Sequence, residues 1–191
     1  MLAPKILVIP GTLRAGSPNA RLAALAAKEL ALAEAEVTRI SLEDYPLPLF
    51  DADSDGAPPS AAAKLKRMLM AHHGVFIASP EMTASVSPLV KNAIDWMSRL
   101  REAGEPTYAA FRGRVIALGA AASDPGGGVR GLIALRQILE LGCGALVIPE
   151  QVTVPRADQA FDEDDNLKDH TQAAALRALT RRLVEFAAMM G

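Results

Sequence analysis

The 191 residues carry 20 basic and 22 acidic side chains, for a net charge of -2, and half of the residues are apolar. That balance lacks the basic surplus of a nucleic-acid binder, and no apolar stretch approaches the roughly 20 residues needed to cross a bilayer. The single Cys143 excludes an intrachain disulfide framework, and the N-terminus lacks the layout of a secretory signal, so we expect one cytoplasmic domain, residues 1–191, whose partners are small molecules or further copies of the chain.

The first element is Lys5 to Pro10, whose Lys5-Ile6-Leu7-Val8-Ile9 run is short, unbroken and rich in branched residues and reads as a strand buried on both faces of a parallel sheet. Gly11 to Asn19 follows at once and opens a helix, predicted over Asn19 to Ala35, with Ser17 as its N-cap and Pro18 at the first helical position. Free N–H groups and the helix dipole at such a junction attract an anion. Arg14 adds a full charge, and the hydroxyls of Thr12 and Ser17 can donate, so the expected ligand group is a phosphate monoester. A Walker A loop is excluded because Ser17-Pro18 follows Gly16 where Lys and Ser or Thr are needed. A dinucleotide fingerprint is excluded because Leu13 stands where its second glycine belongs.

Further strands are predicted at Glu36 to Ser41, Gly74 to Ser79, Arg114 to Ala121 and Ala145 to Val154. Helices are predicted at Ser60 to His73, Ser87 to Leu100, Gly128 to Leu141 and His170 to Met190, the last with Leu176, Leu179, Leu183 and Phe186 in one stripe. Leu42 to Asp51 is too rich in proline for a tight turn and reads as a surface cover or part of a site. Arg156 to Asp169 reads as an acidic, solvated loop pinned by Phe161. This alternation implies an α/β, flavodoxin-like three-layer sandwich: a five-stranded parallel sheet of order 2-1-3-4-5 with helices on both faces. Ligands bind such sheets at the carboxyl edge where strand order reverses, so the loops after strands 1, 3 and 4 should converge on one site.

The loop after strand 3, Pro80-Glu81-Met82-Thr83-Ala84-Ser85, and the helix containing Lys91-Asn92-Ala93-Ile94-Asp95-Trp96 resemble the NADPH-dependent FMN reductase family. That family carries Pro-Glu-Tyr-Asn-x-Ser followed by Leu-Lys-Asn-Ala-(Ile/Leu)-Asp-Trp. Gly11, Thr12, Arg14, Ser17 and Asn19 match its flavin-phosphate loop, and Ser123-Asp124-Pro125-Gly126-Gly127-Gly128 with Ala160-Phe161-Asp162 fits it further along. The resemblance implies that Thr12, Arg14, Ser17, Pro18, Asn19, Pro80, Glu81, Met82, Thr83, Ser85, Ser123, Gly126 and Gly127 hold FMN. Met82-Thr83 departs from the family's Tyr-Asn, which removes an aromatic neighbour and an amide and predicts weaker flavin binding.

From the residues themselves, the cleft is expected to be apolar, with Gly126 to Gly128 leaving one ring face uncovered and backbone N–H groups bonding the ring's polar edge. Glu81 is expected to be a solvated loop carboxylate, Trp96 an anchor between subunits, Cys143 a core residue, and His72, His73 and His170 solvated helix ends. No metal-ligand spacing and no Ser-His-Asp arrangement is present, and hydride transfer through a flavin requires neither. The resemblance implies a homodimeric or homotetrameric oxidoreductase that takes hydride from NADPH or NADH by a ping-pong route and passes it to quinone, azo, metal-ion or flavin acceptors. A flavodoxin-type electron carrier and a pocket-retaining sensor without flavin are the rival readings.

Overall fold

In the computed structural model, which describes residues 3–53 and 56–190, the elements alternate as the sequence pattern requires. In chain order they are β1 (Lys5–Pro10), α1 (Pro18–Leu32), β2 (Glu36–Arg39), α2 (Ser60–Met70), β3 (Gly74–Ala78), β4 (Glu81–Met82), β5 (Ser85–Val86), α3 (Pro88–Arg99), β6 (Val115–Ala121), α4 (Val129–Gln137), β7 (Leu146–Val154) and α5 (His170–Ala188). The main sheet is parallel throughout with order β2-β1-β3-β6-β7, the expected 2-1-3-4-5. Every residue of β3 and β6 is buried, as strands covered on both faces must be.

Each face of the sheet carries its own core. Leu22 and Leu30 of α1 meet Leu176, Leu179 and Leu183 of α5 on one side. Leu65 and Leu69 of α2, Ile94 and Met97 of α3, and Leu132 and Leu135 of α4 cover the other. Cys143 joins this second core, as expected.

Where elements end differently from the sequence reading, local hydrogen bonds account for it. β2 stops at Arg39 because Ser41 caps a single 3-10 turn, its hydroxyl accepting from the Glu43 N–H at 3.2 Å. α2 stops at Met70, where the Arg114 guanidinium donates to the carbonyls of Leu69 and Met70. His72 is buried with Nδ1 2.7 Å from the Met68 carbonyl, and the His73 ring accepts from the Lys5 N–H, so neither is the solvated helix end that was expected. α4 passes into a π turn, Ile138–Gly142.

β7 slips register against β6: Ile116 pairs with Val147, but Leu118 pairs with Gln151. The Arg136 side chain donates to the freed carbonyls of Val147 and Ile148. Both irregular segments are tied down. Asn92 and Trp96 each donate to the Pro48 carbonyl, at 2.9 and 2.8 Å, and Trp96 meets the Phe50 ring edge-on at 5.1 Å. Trp96 thus holds the proline-rich cover to α3 within its own chain. Phe161 is buried, bridges to Leu167 and lies under the Arg21 guanidinium, so it pins the acidic loop as expected.

Candidate active site at the carboxyl ends of β1, β3 and β6

Three loops leave the sheet at its carboxyl edge and meet. In the first, Ser17 caps α1 by accepting from the Ala20 N–H at 3.3 Å, and its hydroxyl lies 3.4 Å from that of Thr12. Among the described residues, the N–H groups of Thr12, Leu13, Ala15 and Gly16 have no internal acceptor, and the Arg14 side chain has no ion-pair partner. Unpaired donors around a helix N-terminus are what a phosphate needs. Asn19 is used differently. Its buried amide donates to the Ala121 carbonyl at 2.7 Å and accepts from the Ala121 N–H at 3.0 Å, so the side chain clamps the loop to the end of β6 and leaves only its backbone for a ligand.

The second loop lies close against the first. A Cβ at Gly11 would stand 2.5 Å from Val90 and 3.2 Å from Pro80, so only glycine permits this approach. Ser87, the N-cap of α3, donates to the Gly11 carbonyl at 3.3 Å. Glu81-Met82 and Ser85-Val86 then pair as a short antiparallel hairpin whose turn residues, Thr83 and Ala84, sit at φ of 47° and 59°. Two left-handed residues in succession make a primed turn, a conformation that Asn adopts at lower cost than β-branched Thr. The departure at position 83 thus acts on backbone conformation, and the exposed Thr83 is a turn residue.

Glu81 is not the solvated carboxylate expected. Only 6% of its side chain is exposed; it pairs with Arg130 at 2.6 Å and accepts from the Gly131 N–H at 3.0 Å. In the third loop Ser123 donates to Asp158 at 2.7 Å, and the Ala157 N–H bonds the Ala122 carbonyl, stitching this loop to the one after β7.

These loops enclose an open cleft of about 400 Å³, within the range of small-molecule sites. Its walls include the expected Thr12, Arg14, Ser17, Pro18 and Asn19 at one end, Pro80, Glu81 and Met82 at the other, and Ser123. Thr83, Ser85, Gly126 and Gly127 lie outside those walls. Gly127, at φ of 61°, turns the bare side of its Cα toward β7: a Cβ there would stand 2.8 Å from the Pro155 nitrogen and 2.9 Å from the Val154 carbonyl carbon. Its missing side chain makes room for backbone, which corrects the expectation that it clears a ring face. Ala121, Ala122 and Asp158 also line the cleft and were missed. The first two were findable as the carboxyl end of a central strand; Asp158 carried no signal of its own.

The cleft has the parts a flavin mononucleotide requires. Loose donors and a free cation sit at the end where a phosphate would lie, and the small side chains of Ala121 and Ala122 leave a wall against which a flat ring can pack. The thiol of Cys143 plays no part, since burial, with Asp95 adding to it, pushes its pKa up to about 11 and keeps it protonated. Among the described residues no group of His, Cys, Asp and Glu could hold a metal ion, and no helix is long and apolar enough to cross a membrane.

The family model for NADPH-dependent FMN reductase matches residues 4–159. The chain belongs to that family. The reductase is similar to an NAD(P)H-dependent FMN reductase of Pseudomonas aeruginosa, 33% identical over 94% of this chain and 96% of the relative. It is also similar to a probable NADPH:quinone oxidoreductase of Oryza sativa subsp. japonica, 30% identical over 97% of this chain and 89% of the relative. Among solved structures the flavoenzyme NAD(P)H:(acceptor) oxidoreductase FerB of Paracoccus denitrificans superposes with a TM-score of 0.78, covering 99% of this chain and 100% of FerB; at 23% identity that likeness speaks for the flavodoxin-like fold. The reductase is an NAD(P)H-dependent oxidoreductase with FMN as its cofactor.

Proposed function

We propose that the reductase works as a single cytoplasmic domain, a homodimer or homotetramer in solution, and passes hydride from NADPH or NADH to quinones and to azo, metal-ion or flavin acceptors. A quinone acceptor is named for the rice relative. The observation that carries the reading is the continuity of the cleft from a loop of unpaired donors to an open, small-residue wall. An apolar groove of about 340 Å³ beside the first loop, lined in part by Leu13, Tyr45, Leu47 and Leu89, supports association of subunits near the site.

FMN, held by the first loop and the Pro80 to Met82 segment, would supply the hydride-transfer chemistry between the two substrates. The chain's own residues bind and orient. Arg14 and the loop N–H groups hold the phosphate, with Thr12 and Ser17 donating beside them. Ser17 and Pro18 start α1 so that its N–H groups point into the cleft, and the clamp of Asn19 on Ala121 fixes that loop to the sheet. Backbone groups of Pro80 to Met82 face the ring, with Thr83, Ser85, Ser123 and the Gly126-Gly127 turn holding the surrounding loops in shape. The exposed Met82 presents a soft thioether where relatives have an aromatic ring.

Donor and acceptor share one open face in this reading. Initial rates against NADPH at several quinone concentrations are therefore expected to give parallel lines, with each substrate inhibiting in excess. Intersecting lines would place the acceptor at a separate site, and bound FMN without any NADPH oxidation would return the chain to the carrier reading. Sedimentation of the FMN-loaded protein at micromolar concentration checks the assembly; a monomer there removes that part of the proposal.

A further inference from the structure

The ion pair at the base of the hairpin does more than close a gap. Gly128 caps α4 without a side chain, so the first turn of that helix keeps an orphan donor at Gly131 and the positive end of its dipole beside the cleft. Glu81 reaches from the next loop and takes the Gly131 N–H with Oε2, while Oε1 pairs with Arg130. The approach is close. A Cβ at Gly131 would stand 3.0 Å from the Ser85 carbonyl oxygen and 3.1 Å from Glu81 Cα, so α4 packs directly on the hairpin backbone.

A carboxylate this buried is retained only when its charge is answered, and here a helix end and a guanidinium answer it together. Arg130 is itself 59% exposed and also lies 3.9 Å from Asp124. Glu81 lines the cleft, and so do Arg14 and Asp158. Glu81 thus brings a negative charge to the wall where the flavin ring is read to lie, and Arg130, which is not itself part of that wall, answers it from α4.

We infer that Glu81 and Arg130 form a charge-balancing latch that sets the reduction potential of the bound flavin, Glu81 acting also as the positioning residue that fixes the Glu81–Val86 hairpin to α4. The inference rests on the reading of the cleft as the FMN site. Reduction brings negative charge to the ring, and a charge on the wall acts on the reduced form more than on the oxidised one. Removing the carboxylate leaves Arg130 with only Asp124, 3.9 Å away, and leaves the helix end unanswered, which favours reduced flavin; removing the guanidinium leaves Glu81 with the Gly131 N–H alone and disfavours it. A purely structural pair would make both losses act in the same direction.

The test is a spectroscopic redox titration of FMN bound to the full chain, with binding followed separately by quenching of flavin fluorescence. Glu81→Gln keeps an acceptor for the Gly131 N–H and is expected to raise the midpoint potential, by about a tenfold gain in affinity for reduced over oxidised FMN. Arg130→Gln is expected to lower the potential, by less at high ionic strength because that side chain is exposed. Arg130→Lys should leave it unchanged, and the double variant Glu81→Gln, Arg130→Gln should return it toward the parent value. Shifts of the same sign in the two single variants, or no shift in either with FMN bound as tightly as in the parent, would overturn the inference. Parent protein that binds no FMN would instead overturn the reading of the cleft, and the latch with it. If Glu81→Gln fails to fold, the exposed Arg130 still gives the sign of the shift.

Discussion

Replacing Arg14 with alanine is expected to weaken FMN binding ten- to a hundredfold while leaving riboflavin almost unaffected. The side chain lines the cleft and has no ion-pair partner among the described residues, so it stands free to meet a phosphate. A hydrogen bond to a charged group contributes about 1.5–3 kcal/mol, and each 1.4 kcal/mol is tenfold in affinity. Fluorescence titration with both flavins separates phosphate recognition from ring recognition. Equal losses for FMN and riboflavin would place Arg14 against some other part of the ligand.

Gly127→Ala is expected to cost stability before it costs catalysis. A left-handed backbone penalises any L side chain by about 1–2 kcal/mol, and overpacking in a well-filled region costs a further ~1–3 kcal/mol. The atoms its Cβ would meet belong to the backbone at Val154 and Pro155, which cannot swing aside. For a chain of this length that loss lowers the thermal midpoint by roughly 5–15 °C. Gly126→Ala is the control, because its nearest obstacle is the Asp124 side chain, 2.9 Å away, which can shift by giving up its bond to the Gly126 N–H where backbone cannot. An unchanged midpoint in Gly127→Ala with abolished turnover would show that position 127 faces the ligand after all.

Much of this architecture was legible from runs and spacings. Buried strands such as Gly74–Ala78 announce themselves by a short run without polar residues, and the cap at Ser17 with Pro18 behind it marks the start of α1. What stayed hidden depends on partners far along the chain. Glu81 looked solvated because Arg130 and Gly131, which answer its charge, lie on a helix 50 residues further on. The hold of Trp96 on the proline-rich segment stayed hidden because its acceptor at Pro48 precedes it by 48 residues. The hairpin was invisible for a different reason: strands of two residues are too short to show alternation, and Thr83-Ala84 lacks the Asn-Gly signature of a primed turn. Gly127 was rightly singled out as special, but a glycine's sequence context does not tell whether it makes room for a ligand or for another strand.

The clamp between Asn19 and Ala121 joins residues 102 positions apart, and it has a bearing on how the molecule is built. Gly11 at the start of the first loop is tied to β3 and α3, but the far end of the loop is held to the sheet only once β6 has docked beside β3. Contacts of such long sequence separation form late, because the chain entropy lost in closing the loop must be offset first. The newly made chain therefore completes its phosphate cradle near the end of folding. Flavin arrives too late to guide that process, and by binding only the finished protein it acts on the way out: refolding is expected to proceed at the same rate with or without FMN, whereas unfolding slows as FMN is added. Refolding that accelerates with FMN would mean that the cradle forms before the sheet is complete.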